Sequence, residues 1–485
     1  MFLGIDLGTS SLKLLLIDEN QQLIASKSAV IHASDAPAGW SMQDPKSWIA
    51  ALENAMGYLR EDYAAQIAKI QAIGLSGQMH GACLLDAADQ LLYPAILWND
   101  GRAALQASAL SKDQAFLDQT GNLVFAGFTA PKLLWMQQNR PDIFDKVAKI
   151  LLPKDYLRHY LTGEYISDMS DASGTSWLNV GSRDWSDELL DKTGLTRSQM
   201  PALVEGSDEG GRLRPSLARK WGIDAAPMIA GGAGDNAASA VGIGVINENQ
   251  GFISLGTSGV VFRATADFKP NPDQAVHSFC HALPLLWHQM GVMLSAGQSL
   301  EWFAAQHNIR PDQLVAELSP DQLQAVGGEY FLPYLSGERT PHNDPHLRAG
   351  FYGISATTTR RDLTKAILMG VGFGLYDNLL ALSAVNKTPL DRLLLVGGGA
   401  SVKAWAQIIA DILQIELAIP DDCSHAASLG AARLAMLATK KFTQADVLIP
   451  PSVTNSIRPN KALAQPYRAA HHKHTKLYKT LSALY

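Results

Sequence analysis

Phe2-Leu3-Gly4-Ile5-Asp6-Leu7-Gly8-Thr9-Ser10-Ser11-Leu12-Lys13-Leu14-Leu15-Leu16-Ile17 opens the chain, and its reading decides the fold. Two apolar runs, Phe2 to Leu7 and Leu12 to Asp18, flank the tight turn Gly8-Thr9-Ser10-Ser11, so they form a hairpin of buried strands with a hydroxyl-bearing tip. Gln22 to Ala29 gives a third strand. Asp44 followed by Pro45 is a capped helix start. Behind it Trp48, Leu52, Ala55, Met56 and Leu59 recur at helical spacing, which lays one apolar face on a sheet. Ile70 to Ser76 is a fourth strand. The order strand, strand, strand, helix, strand describes a mixed sheet.

The hairpin has a distant echo. Gly251-Phe252-Ile253-Ser254-Leu255-Gly256-Thr257-Ser258-Gly259-Val260-Val261-Phe262 repeats strand, Gly-Thr-Ser turn and strand. Two related α/β domains are therefore expected, 1–245 and 246–485, divided in the polar link Gly244 to Gln250. A chain of 485 residues is too long for one ordinary core, and its 47% apolar content supplies more than one. The formal charge of -6, with no basic stripe, gives a nucleic-acid or membrane-surface partner no electrostatic support and favours a small-molecule ligand. Cys83, Cys280 and Cys423 are too far apart and too few for a disulfide framework and fit a reducing compartment. No basic-then-apolar leader precedes the first strand, and no run approaches the roughly 18 apolar residues of a membrane span, so a cytoplasmic protein is expected.

Between the two hairpins stands Gly231-Gly232-Ala233-Gly234-Asp235-Asn236-Ala237-Ala238, after the apolar run Pro227-Met228-Ile229-Ala230. It reads as buried strand, glycine turn and helix start, with Asp235 at the junction. Capping alone accounts for such an aspartate; a carboxylate poised to accept a proton is the other reading. The two Gly-Thr-Ser turns favour the second, because backbone N–H groups and hydroxyls at paired turns suit a polyphosphate. No Gly-x4-Gly-Lys-Ser/Thr loop occurs. Asp6, just before the first turn, suits Mg²⁺ held through water. Leu393 to Val396 runs into Gly397-Gly398-Gly399-Ala400 and a helix, a ligand-binding context. Glu416 or Asp421 stands about where a dinucleotide site needs an acid, which makes a Rossmann reading available but weak. The helix Asp362 to Ala381 carries Gly370, Gly372 and Gly374, read as close packing. His277, Cys280 and His281 read as a packed loop near the cleft, with no fourth ligand for zinc. The segment after Pro451 reads as a peripheral cap, with Leu477, Leu481 and Leu484 on one face and His471, His472 and His474 solvated.

These residues carry a resemblance. Ile5-Asp6-Leu7-Gly8-Thr9-Ser10, Gly77-Gln78-Met79-His80-Gly81, Trp98-Asn99-Asp100, Gly234-Asp235-Asn236, Ser254-Leu255-Gly256-Thr257-Ser258, Tyr334 to Pro341 and Gly397-Gly398-Gly399 together resemble the FGGY family of carbohydrate kinases, collinearly from the first strand to about Leu434. Met369 stands where the family often places an acidic residue. The resemblance implies two ribonuclease H-like domains of the actin and hexokinase type, with sugar and ATP meeting in the cleft between them. It further implies Asp235 as general base, Asp6 supporting Mg²⁺, and Thr9, Ser10, Gly256, Thr257 and Ser258 along the phosphates. Gly398, Gly399 and Ala400 would approach the adenosine, and Met79, His80 and Asn236 the sugar, with Trp98 and Asn99 behind them. Phe128 to Trp135, Leu152 to Leu157 and His277 to Pro284 carry a closer likeness to the pentulose kinases. D-xylulose, phosphorylated at its 5-hydroxyl, is thus the expected acceptor, with ribulose, gluconate or glycerol as alternatives and a nucleotide-driven sensor of the same fold ranked lower. Sugar-driven domain closure is expected, and a homodimer is plausible on the same ground.

Overall fold

The structure, a computed structural model, describes residues 1–484. Two seven-stranded mixed sheets organise the chain, one in each half. In the first, the hairpin Phe2–Leu7/Ser11–Ile17 is extended on one side by Leu23–Val30 and on the other by Ala72–Gly77, which runs parallel to Phe2–Leu7. Helix Pro45–Ile67 packs against this sheet through Trp48, Leu52, Ala55, Met56 and Leu59, all completely or almost completely buried. Met228–Ala230 and the short Ala233–Gly234 add to the far edge of Ala72–Gly77, both parallel.

The second sheet repeats the plan. Gly251–Leu255 and Gly259–Thr265 form the hairpin, Trp287–Met293 extends it, and Arg392–Val396 lies parallel to Gly251–Leu255 where Ala72–Gly77 lies in the first half. Both Gly-Thr-Ser turns therefore sit at the carboxyl end of a central strand beside a parallel neighbour, the position at which open α/β sheets bind ligands.

Helix Ala426–Ala438 joins the halves. It stands in sequence between two strands of the second sheet yet lies on the first, and a Cβ on Gly4 or Gly74 would fall 1.9 or 1.8 Å from the carbonyl oxygens of Ser428 and Ala431. It also crosses helix Asp235–Gly242 at glycine on both sides, Gly242 against Ala426 O and Gly430 against Ala238 O. Only hydrogen fits at these contacts, so helix backbone meets strand and helix backbone directly.

Several local expectations change. Helix Arg360–Ser383 is long and apolar enough by composition to cross a membrane. It is a core helix, with 78% of its apolar 18-residue window buried and Gly370, Gly372 and Gly374 against Phe331, Ile412 and Met293. His277 and Cys280 belong to a strand, His277–Cys280, rather than a loop. The tail is more than a cap: Asn455–Ile457 adds a seventh strand to the second sheet, and helix Ala464–Leu481 buries Tyr467, Ala470 and His474. His474 is completely buried with Nε2 at 3.2 Å from Phe331 O, and His471 Nε2 meets Asp377 Oδ1 at 2.7 Å. Of the supposed apolar face, Leu484 is exposed.

Candidate active site

Register places the first group of side chains. Asp6 pairs with Ser76 across the parallel strands, and Ser76 pairs with Ala233, so Asp6 and the Asp235 junction stand at neighbouring strand ends. Ser76 Oγ donates to Asp6 Oδ1 at 3.1 Å. Burial nevertheless raises the Asp6 carboxyl above its ordinary range. Helix Asp235–Gly242 begins at Asp235 with Gly234 as its cap, so capping does not explain the aspartate. Asp235 Oδ1 accepts from the Asn236 backbone N–H at 2.7 Å and from Asn236 Nδ2 at 3.0 Å. Burial first, then the Asp6 charge, lifts the half-buried Asp235 carboxyl to about 6 despite those donors. It is ionised at neutral pH and a stronger proton acceptor than an ordinary aspartate.

Met79 comes against this junction, and His80 after it packs on Gly174. A Cβ on Gly234 would lie 2.8 Å from Met79 Sδ, and one on Gly174 would lie 2.4 Å from the His80 ring. His80 has φ of 69°, the left-handed region that a non-glycine residue enters only when held there. Its carbonyl accepts from Lys132 Nζ at 2.8 Å and Thr129 Oγ1 at 3.2 Å, its Nδ1 meets Gly174 O at 2.8 Å, and its ring stacks on Phe128 at 4.5 Å. Burial pushes the imidazole down to about 3, so it is neutral and offers hydrogen bonds rather than charge.

The first turn is braced by a network that sequence reading missed. Thr9 Oγ1 donates to Gln78 Oε1 at 3.1 Å and accepts from Trp98 Nε1 at 3.1 Å, while Gln43 Nε2 donates to Thr9 O at 2.7 Å. Trp48 Nε1 in turn donates to Gln43 Oε1 at 2.9 Å. Ser10 and Asn99 are exposed. Gln78 stood in a quoted motif and Gln43 just before the helix start, but neither polar residue announces its partner. Arg339 was equally hidden: its guanidinium lies over the Phe125 ring at 4.6 Å and donates to His277 Nε2 at 3.2 Å, bringing the second half to the His80–Phe128 stack.

The remaining expected residues form a second group. Thr257 and Ser258 are exposed at the tip of the turn, and Gly297 N donates to Gly256 O at 2.8 Å, so the start of helix Gly297–Gln306 is seated on the turn. Gly397 has φ of 92°, and a Cβ on Gly399 would collide with Leu255 at 2.5 Å; this turn thus folds closely over the neighbouring strand. Gly397, Gly398 and Ala400 line an open cavity of about 480 Å³, within the size range of small-molecule pockets. Asp421 also lines it, but its carboxylate is already engaged, accepting from Ser452 Oγ, Thr454 Oγ1 and Thr454 N. One apolar cluster runs from Met79 through Ala240 and Ile243 to Phe252 and Val396, so the two groups share a floor.

A chain with these paired turns and a carboxylate at a strand-to-helix junction between them has parts suited to phosphoryl transfer, and it belongs to the FGGY family of carbohydrate kinases: residues 1–242 match the family's N-terminal domain and 251–439 its C-terminal domain. It is 43% identical to the xylulose kinase of Escherichia coli strain K12 over 489 residues, covering 100% of both chains. It is 46% identical to that of Klebsiella pneumoniae, covering 90% of each. The crystal structure of a xyloylose kinase from Brucella ovis superposes with a TM-score of 0.97 at 49% identity, covering 100% of both chains. The expected two-domain fold and the sugar-kinase class are thus established.

Proposed function

We propose that this chain transfers the γ-phosphoryl group of ATP to the 5-hydroxyl of D-xylulose, giving D-xylulose 5-phosphate and ADP, with Asp235 as general base. The observation that carries the assignment of the base is the seat of Asp235: its preceding glycine packs on Met79, Asn236 bonds its carboxylate, and that carboxyl is poised near 6. Met79 packs on the sugar's carbon skeleton, and His80 and Asn236 bond its hydroxyls. Asp235 takes the 5-hydroxyl proton as that oxygen bonds to the γ-phosphorus; the β–γ bridging bond breaks and ADP leaves. Phosphoryl transfer has a loose transition state, so the protein contributes chiefly alignment and charge stabilisation. Thr9, Ser10, Gly256, Thr257 and Ser258 line the phosphates, and Gly398, Gly399 and Ala400 leave room for the adenosine.

Asp6, beside Asp235, also fits Mg²⁺. Two neighbouring carboxylates, each disfavoured in its charged form and one raised by the other, are relieved by a hard cation with oxygen ligands. Bound there with ATP, Mg²⁺ would offset phosphate charge. Whole-length likeness to xylulose kinases supports the choice of sugar. ADP release measured across D-xylulose, D-ribulose, gluconate and glycerol tests it: kcat/KM is expected to be highest for D-xylulose, and either a better acceptor or sugar-independent ADP release contradicts it.

A further inference from the structure

One short segment, 168–174, runs beneath the site and touches three separate parts of it. Ser170 Oγ accepts a hydrogen bond from the backbone N–H of Gly234 at 3.1 Å, one residue before Asp235. The carbonyl of Gly174 meets His80 Nδ1 at 2.8 Å, and Ser173 Oγ accepts from the Cys280 N–H of the second half at 3.0 Å.

Ser170 is itself oriented. Its hydroxyl donates to Asp168 Oδ2, and Asp168 Oδ1 lies 2.7 Å from Lys154 Nζ. Lys154 also meets Asp155 at 2.5 Å and Asp171 at 3.2 Å, and all these charged side chains are completely buried. From the other side Arg158 donates to the carbonyls of Ala230, at 2.6 Å, and Gly231. The backbone leading into Asp235 is thereby held at residues 230, 231 and 234. Burial raises the Asp171 carboxyl well above its usual range. A buried ionic cluster adds little net stability over apolar packing of the same volume. What it supplies here is fixed direction at the one junction where the chemistry needs it.

We propose that Ser170 is a positioning residue for Asp235: its hydroxyl, oriented by Asp168 and Lys154, fixes the Gly234 N–H and so the direction from which the Asp235 carboxylate meets the acceptor hydroxyl. This rests on Asp235 being the general base. The full-length chain is assayed with D-xylulose, ATP and Mg²⁺. Ser170→Ala is expected to lower kcat about 10- to 100-fold, the range that small misplacements of catalytic groups produce. KM for ATP stays unchanged, and Ser170→Cys, with a weak acceptor in place, recovers part of the loss. Should Ser170→Ala not fold, Ser170→Cys carries the test, with a smaller drop in kcat. Thr193→Val is the matched control: it strips the acceptor from the buried Trp177 indole N–H, bonded at 2.9 Å, in the same half. It is expected to lower the thermal midpoint and leave kcat alone. Wild-type kcat at Ser170, or a loss in Thr193→Val equal to that at Ser170 for the same fall in midpoint, overturns the proposal. Asp235→Asn run alongside separates the two claims. If it is inactive while Ser170→Ala turns over normally, only the positioning role fails; if it turns over like wild type, the base assignment and the positioning role fail together.

Discussion

Two opposing influences meet at the carboxyl of Asp235. Burial and the Asp6 charge disfavour the carboxylate, the two Asn236 donors favour it, and the balance leaves the group at about 6. For the free enzyme, kcat/KM is therefore expected to rise with pH and level off above about 6, and a pH–rate series with an acidic limb at the ordinary aspartate position contradicts this. Stability runs the other way. The folded pKa exceeds the unfolded one, so the folded state holds the extra proton between about pH 4 and 6 and loses stability as pH rises through that window. At neutral pH the ionised group is destabilising. Asp235→Asn should thus lower turnover about 10²- to 10⁴-fold while raising the thermal midpoint at neutral pH. A variant that loses activity and stability together contradicts the account.

Helices Asp235–Gly242 and Ala426–Ala438 show what close packing does for the site. They meet at Gly242 and Gly430 with no side chain between them, so a methyl group on Gly430 would fall 1.8 Å from Ala238 O and push on the helix that Asp235 begins. Overpacking of this kind costs about 1–3 kcal/mol. Gly430→Ala is expected to lower the denaturation midpoint and kcat together, and an unchanged midpoint would show that the two helices are free to part. Elements with local causes were legible in the sequence. The hairpin and its echo were read from a four-residue turn between apolar runs, and Asp44-Pro45 marked a helix start that the structure caps with Asp44 on Lys46 N. Groups assembled across the fold were not. Lys154 and Asp155 sit in a helix and Asp168 and Asp171 beyond it, and charged residues in isolation read as solvated until tertiary packing buries them. His474 misled for the same reason, since its one satisfying partner is a carbonyl 143 residues away.

Several contacts fasten the halves together. Asn122 exchanges hydrogen bonds with the Ser278 backbone, Arg183 of the first half donates to Leu286 O of the second, and helix Ala426–Ala438 lies on the first sheet. Sugar-driven closure is expected to pivot about these contacts and to move the two Gly-Thr-Ser turns relative to one another. Water competes with the sugar as a nucleophile, so binding energy from the correct acceptor is best used to complete the site. D-xylulose should reduce the radius of gyration measured by scattering, and an unchanged radius with sugar and nucleotide bound would leave closure without support.

The most direct measurement is a crystal structure with D-xylulose, Mg²⁺ and a non-hydrolysable ATP analogue. The account predicts the sugar's 5-hydroxyl within hydrogen-bond reach of Asp235 and in line with the γ-phosphorus, and the phosphates between the turns at Gly8–Ser10 and Gly256–Ser258. A 5-hydroxyl directed at any other base, or phosphates bound away from both turns, would contradict it.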